Sequence, residues 1–216
     1  MREKNGLVRD YARLAPVIPV VTIEDARASI DLAHALIGAG LPVIEITLRT
    51  DAALDAIAAI AKAVPEAVIA AGTVLHPSQI GEVVDAGAKF IVTPGTPREL
   101  AEALAEAPVP VMPGCATVSE AMTLANLGFD TLKLFPAMAS GGAAWLKGIN
   151  GPLPHLRFCP TGGVDLANAP SLLSLPNVLC VGGTWITPKK ALEDGDFAMI
   201  ARLAREAAAL RPRAVD

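Results

Sequence analysis

A chain of 216 residues with 52% hydrophobic and only 19% charged residues can bury a sizeable core. Its formal net charge of -4, with no stretch that gathers Lys and Arg on one face, excludes a general nucleic-acid partner. No run of 18 or more apolar residues occurs, and MREKNGLVRDYARLAP carries charges where a signal peptide has its apolar segment, so a cytoplasmic protein is expected.

Along the chain, short Val/Ile/Leu-rich runs alternate with Ala-rich stretches whose apolar residues recur three and four apart. A helix over Glu3 to Leu14 precedes the first strand, VIPVV from Val17, and a second helix spans Ile23 to Ala39. Strand VIEIT from Val43 leads into a helix over Asp51 to Val64, and AVIAAGT from Ala67 into one over Pro77 to Ala86. KFIVTPG from Lys89 precedes a helix over Pro97 to Ala105, and VPVMPG from Val109 one over Val118 to Leu127. Then come DTLKLFP from Asp130, RFCPTGG from Arg157 with a helix over Asp165 to Leu173, NVLCVGG from Asn177, and a last helix over Phe197 to Arg211.

The segments IGAGLPVIEI, VDAGAKFIV and ANLGFDTLKL share one order: helix end, glycine, short turn, strand. Eight strands alternating with helices at this length predict a single-domain α/β protein over residues 1–216, a (β/α)8 TIM barrel with an extra N-terminal helix. An open doubly wound sheet is the alternative, but no GxGxxG opens a first helix.

A lysine inside DTLKLFP needs a reason, because a buried ammonium costs several kcal/mol unless it is paired or loses its proton. Strand alternation puts Lys133 opposite Leu132 and Leu134, and Glu45 opposite Ile44 and Ile46. With the apolar faces against the helices, Lys133 and Glu45 point to the barrel axis, and Arg49 lies at the C-terminal mouth where such barrels build active sites. The same alternation is taken to place Thr73 and Thr161 inward.

An unprotonated lysine in such a cavity attacks carbonyl carbons, and the resulting iminium is an electron sink for making or breaking a neighbouring carbon–carbon bond. Glu45 is the right kind of group to carry protons, and Arg49 can grip a carboxylate with help from Thr73. A purely structural Lys133–Glu45 ion pair is the competing reading. Two late glycine pairs, in PTGGVD and VGGTWI, follow strands seven and eight, where barrels bind phosphate through backbone N–H groups. Cys115, Cys159 and Cys180 read as reduced structural thiols, Trp145 and Trp185 as packing residues, and the pair at 189 and 190 as a solvated loop. His34, His76 and His155 show no metal-ligand spacing.

Taken together, PVVTI, GLPVIEITLRT, AAGTV, FIVTPGTP, VMPGCATVSE, LKLFPA, RFCPTGGV and VLCVGGTW resemble the class I aldolases acting on 2-keto-3-deoxy-6-phosphogluconate (KDPG) and 4-hydroxy-2-oxoglutarate (KHG), over almost the whole chain. The resemblance implies a homotrimer of barrels, no metal or other cofactor, and reversible cleavage of KDPG to pyruvate and glyceraldehyde 3-phosphate. It implies Lys133 as the Schiff-base lysine, Glu45 as the acid/base, and Arg49, Thr73, Pro94 and Phe135 around the pyruvyl end. Gly162, Gly163, Gly183 and Thr184 would hold the phosphate, Thr184 standing where serine is common, and Thr161 would meet the substrate hydroxyls. Alternatives are cleavage of KHG to pyruvate and glyoxylate, a preference for an unphosphorylated or epimeric keto-acid, a phosphosugar isomerase or epimerase using Glu45 as base, and a non-catalytic sugar-acid binding protein.

Overall fold

In the computed structural model, which describes residues 1–210, every pair of neighbouring strands runs parallel. β1 (Val17–Val21), β2 (Val43–Thr47), β3 (Val68–Gly72), β4 (Phe90–Val92) and β5 (Val111–Met112) pair in chain order. β6 (Gly114–Cys115), β7 (Thr131–Leu134) and β8 (Arg157–Pro160) continue the series, and β9 (Val181–Gly183) pairs with β1. β5 and β6 are one barrel strand interrupted at Pro113, which has no N–H to give the ladder but whose carbonyl accepts from the Lys133 amide at 2.9 Å. Parallel bridges Phe158–Val178 and Thr161–Gly182 join β8 to the β9 segment. The sheet therefore curls into the expected (β/α)8 ring, with β5 and β6 as its fifth strand.

Parallel neighbours require crossovers, and helices supply them. After α1 (Arg2–Arg13) come α2 (Ser29–Gly38), α3 (Ala53–Ala63), α4 (Ser78–Asp85), α5 (Arg98–Ala105) and α6 (Val118–Asn126). Then follow α7 (Gly142–Asn150), α8 (Ala169–Leu173), α9 (Lys189–Glu193) and α10 (Phe197–Ala208). Three expectations need correcting, and one helix was not foreseen. The stretch expected to be helical from Ile23 is a 3-10 turn over Ala26–Ala28 before α2, and α8 is shorter than the span expected from Asp165. α7 carries no strong signal because it opens on glycines, the weakest helix formers after proline. Lys189 and Lys190 begin the short helix α9 instead of lying in a loop, although both remain exposed. α10 starts where expected, and Arg211 lies outside the described residues.

Strand alternation divides the core in two. Ile44, Ile46, Leu132, Leu134 and Val181 pack outward against the helices. Ile18, Val43, Phe90, Val92, Met112, Cys159, Leu179 and Cys180 fill the barrel, joined there by Val8 and Ala12 of α1. The Tyr11 ring lies 5.6 Å from that of Phe90. Lys4 donates to the Ala107 carbonyl, Asn5 to that of Gly128, and Arg9 pairs with Asp130, all beside strand starts. The extra helix thus plugs the N-terminal end of the barrel and leaves the C-terminal mouth for chemistry. Among the described residues, no helix is long and apolar enough to cross a membrane.

All three cysteines are buried and free. Burial, with a smaller contribution from Glu120, pushes the Cys115 thiol up from 9.0 to about 12. The neighbouring Cys159 thiol and burial push Cys180 well above its ordinary value. Raised folded-state values mean protonated, unreactive thiols. The Cys115 contribution to stability is complete below pH 9.0, where neither state ionises, and is lost as pH rises towards about 12. Iodoacetamide at about pH 9 should therefore label Cys115 in guanidinium but leave it unlabelled in native protein, as peptide mass spectrometry reads directly.

Candidate active site

Glu45 occupies the middle of β2 and Lys133 the third position of β7, on opposite sides of the ring. Register pairs Glu45 with Val20 and Ala70, and Lys133 with Gly114 and Cys159, so small or apolar residues flank both charges. The Lys133 Nζ donates to Glu45 Oε1 at 2.8 Å and to Oε2 at 3.2 Å, with each side chain only 5% exposed. Left alone there, either ion would cost several kcal/mol unless the carboxylate gained or the ammonium lost a proton. Phe135, two residues along the same face, brings its ring centroid to 5.6 Å from the ammonium. Lys133, Glu45 and Phe135 therefore meet inside the barrel.

Three other expected residues follow the C-terminal ends of their strands. Thr161 is buried, with Oγ1 3.4 Å from the Cys159 carbonyl and 3.8 Å from its sulfur. Arg49 is exposed just past β2 and belongs to no ion pair among the described residues. Pro94 is half-buried beyond β4, in a turn held by Thr93 Oγ1, which accepts from the Gly114 amide at 2.9 Å, and by Thr96 Oγ1, which donates to the Gly114 carbonyl at 2.9 Å.

Thr73 corrects one parity expectation. Val68 and Ala70 face the inner core while Ile69 and Ala71 face the outer one, so Gly72, not Thr73, holds the inward position. Thr73 instead leaves the strand with φ of 60°, a left-handed conformation that a β-branched residue adopts at a cost of about 1–2 kcal/mol. Such strain concentrates at ligand-contacting loops.

Gly162 and Gly163 take φ of 96° and 74°, which suits glycine and turns the chain sharply beyond β8. Gly162 lies against Phe135, and a Cβ there would sit 3.1 Å from the ring. This ties the loop to the lysine strand. Asn168 donates to the Gly163 carbonyl at 3.0 Å and stiffens the same loop. At Gly183 the missing side chain makes room for the Trp185 ring, so packing alone requires glycine there. Thr184 is exposed on the wall of a groove of about 840 Å³ that Thr22 and Lys189 also line. That groove flanks the mouth and reaches neither Lys133 nor Glu45.

Two site features lay outside the sequence expectations. Gly72 was legible in principle, because the alternation of AVIAAG puts it inward. Thr47 was not: it donates to the Val21 carbonyl at 2.9 Å and lies 3.1 Å from the Thr22 hydroxyl, fastening β2 to β1 beneath the mouth. Among the described residues, no three His, Cys, Asp or Glu side chains gather as a metal-binding group.

A family model described as KDPG and KHG aldolase matches residues 8–203. The chain is 48% identical over 192 residues to the KHG/KDPG aldolase of Escherichia coli (strain K12), covering 89% of this chain and 90% of that protein. It resembles the structure of KDPG aldolase from Legionella pneumophila with pyruvate captured at low pH as a covalent carbinolamine intermediate: TM-score 0.91, 41% identity, 93% of this chain and 98% of that one. A similar match, with TM-score 0.90, 41% identity and coverage of 97% and 98%, is to the KDPG aldolase of Zymomonas mobilis ZM4 with 3-phosphoglycerate.

Thr73→Gly should relieve the left-handed strain, offset in part by the entropy of the added glycine, for a net gain of up to about 1 kcal/mol in urea denaturation.

Proposed function

The chain belongs to the KDPG and KHG aldolase family, and from that premise we propose how it works: a Schiff-base aldolase that cleaves KDPG to pyruvate and glyceraldehyde 3-phosphate, with Lys133 as the amine and Glu45 as the proton carrier. The observation that carries these roles is the 2.8 Å hydrogen bond between the two inside the barrel.

Transfer of one proton along that bond leaves a neutral amine beside a neutral acid, which relieves the burial of two charges. The amine adds to the C2 keto group to give a carbinolamine, and the Glu45 acid gives its proton to the departing hydroxyl, so that loss of water leaves the iminium beside a Glu45 carboxylate. Glu45, now a carboxylate, takes the proton of the C4 hydroxyl directly or through a water, the C3–C4 bond breaks, and its electron pair flows into the iminium to form an enamine. Glyceraldehyde 3-phosphate leaves as the aldehyde. The Glu45 acid then protonates C3, and water hydrolyses the iminium to release pyruvate and restore the amine. Pyruvate captured as a carbinolamine in the Legionella relative supports the covalent step.

Arg49 and Thr73 receive the substrate carboxylate at the mouth, while Pro94 and Phe135 pack on the pyruvyl carbons. Gly162, Gly163, Gly183 and Thr184 hold the phosphate through amides and one hydroxyl; the 3-phosphoglycerate bound by the Zymomonas relative supports a three-carbon phosphate at that end. Buried Thr161 meets the substrate hydroxyls and bears on epimer preference. The double name of the Escherichia relative favours KHG as a second substrate.

In this reading the chain is one cytoplasmic domain, whose described residues 1–210 make a single barrel: the ring is built from strands between Val17 and Gly183, with α1 packed on its strands and α10 on α2. The barrels assemble as homotrimers. Val118 and Met122, one turn apart on α6 and 40% and 50% exposed, offer an apolar face for such contacts. Light scattering should give three times the chain mass, and a monomer mass would contradict it.

Borohydride reduction in the presence of pyruvate should leave a pyruvyl adduct on the Lys133 peptide. Lys133→Ala should remain folded by circular dichroism and lose turnover by at least about 10³-fold, as expected when a nucleophile is removed. Glu45→Gln should slow turnover about 10²- to 10⁴-fold while still permitting imine trapping. A Lys133→Ala enzyme with full activity would remove the central role of that residue.

A further inference from the structure

Gly72 ends β3, the strand beside Glu45, and faces the barrel interior. A Cβ placed on it would lie 2.6 Å from Glu45 Cγ and 2.8 Å from Cδ, and closer still to Oε1. Its three nearest neighbours would all be atoms of Glu45. The backbone makes no such demand: Gly72 is not among the glycines with positive φ, so the chain conformation accepts any L-residue. Glycine is needed at 72 because a carboxylate occupies the place of its side chain.

We propose that Gly72 is a positioning residue for Glu45, its empty Cβ position serving as the seat that holds the carboxylate against Lys133 Nζ. The inference rests on the reading of Glu45 as the proton carrier. A methyl group at this seat cannot be absorbed by a flexible tip, because it meets the Cγ and Cδ of Glu45 as well as the oxygen. The side chain must swing to another rotamer, and the bonds of 2.8 and 3.2 Å to Lys133 are lost or lengthened. Proton transfer is steep in distance, with misplacement by about 1 Å capable of costing about 10²-fold.

A partial reaction isolates this step. The iminium of pyruvate gives a methyl proton to the Glu45 carboxylate and becomes an enamine. In deuterium oxide the acid exchanges its proton with solvent and returns a deuteron to the same carbon, so one C–H bond breaks and one C–D bond forms. Proton NMR of the pyruvate methyl signal follows the exchange without any aldehyde.

Gly72→Ala should reach the same end-point of borohydride-trapped pyruvate on Lys133 as wild type, while losing about 10- to 100-fold in methyl exchange. Thermal denaturation adds a second readout. The Tm lost by Gly72→Ala should disappear in a Glu45→Ala background, where the clashing atoms are gone, and this comparison holds even where the single variant folds poorly. Methyl exchange within twofold of wild type, or the same Tm loss in both backgrounds, overturns the inference. A wild-type enzyme that neither traps pyruvate nor exchanges its methyl protons overturns the aldolase reading itself, and with it the role assigned to Gly72.

Discussion

An ammonium and a carboxylate facing each other across a closed barrel set the terms for the rest of this molecule. Each side chain is 5% exposed, so water stabilises neither, and each depends on the other for hydrogen bonding. Their strands are not neighbours, and only closure of the ring brings β2 and β7 face to face. The extra helix contributes indirectly. By filling the N-terminal end with Val8, Ala12 and Tyr11, it seals the floor below the pair and leaves the C-terminal mouth as the way in.

The interior is graded to match. Large apolar groups such as Phe90, Met112 and Ile18 occupy the inner core shared with α1. Around the pair the inner wall is made of small residues: Ala70 and Gly72 on β3, Gly114 on β6 and Gly182 on β9. At Gly182 a Cβ would come within 2.9 Å of Thr161 Cγ2, so this position too is kept empty for a polar side chain. Volume is released where functional groups must fit. The mouth is finished by loops whose backbone departs from the strand regime, Thr73 at φ 60° and the Gly162–Gly163 turn.

Much of this was legible in the sequence because alternation in a parallel barrel is a strong constraint. Ile44, Ile46, Leu132 and Leu134 could only face the helices, which left Glu45 and Lys133 nowhere but the interior. The family membership was legible as well, from motifs spread over the chain. Local breaks in the rule were harder. Thr73 was assigned inward although the alternation of AVIAAG puts Gly72 there, and the left-handed φ of Thr73 has no signature beyond one glycine in AVIAAGTV. Helix α7 was hidden by its glycines, and α9 by having only five residues. The seat at Gly72 depends on a contact between strands, which no single strand's pattern contains.

A crystal of the enzyme soaked with pyruvate tests the central claim most directly. Continuous electron density from Lys133 Nζ to the pyruvate C2 carbon, with the Glu45 carboxylate within hydrogen-bonding distance of the adduct, is the result this account predicts. Pyruvate bound without a covalent link while Lys133 stays paired with Glu45, or bound to a different lysine, would contradict it.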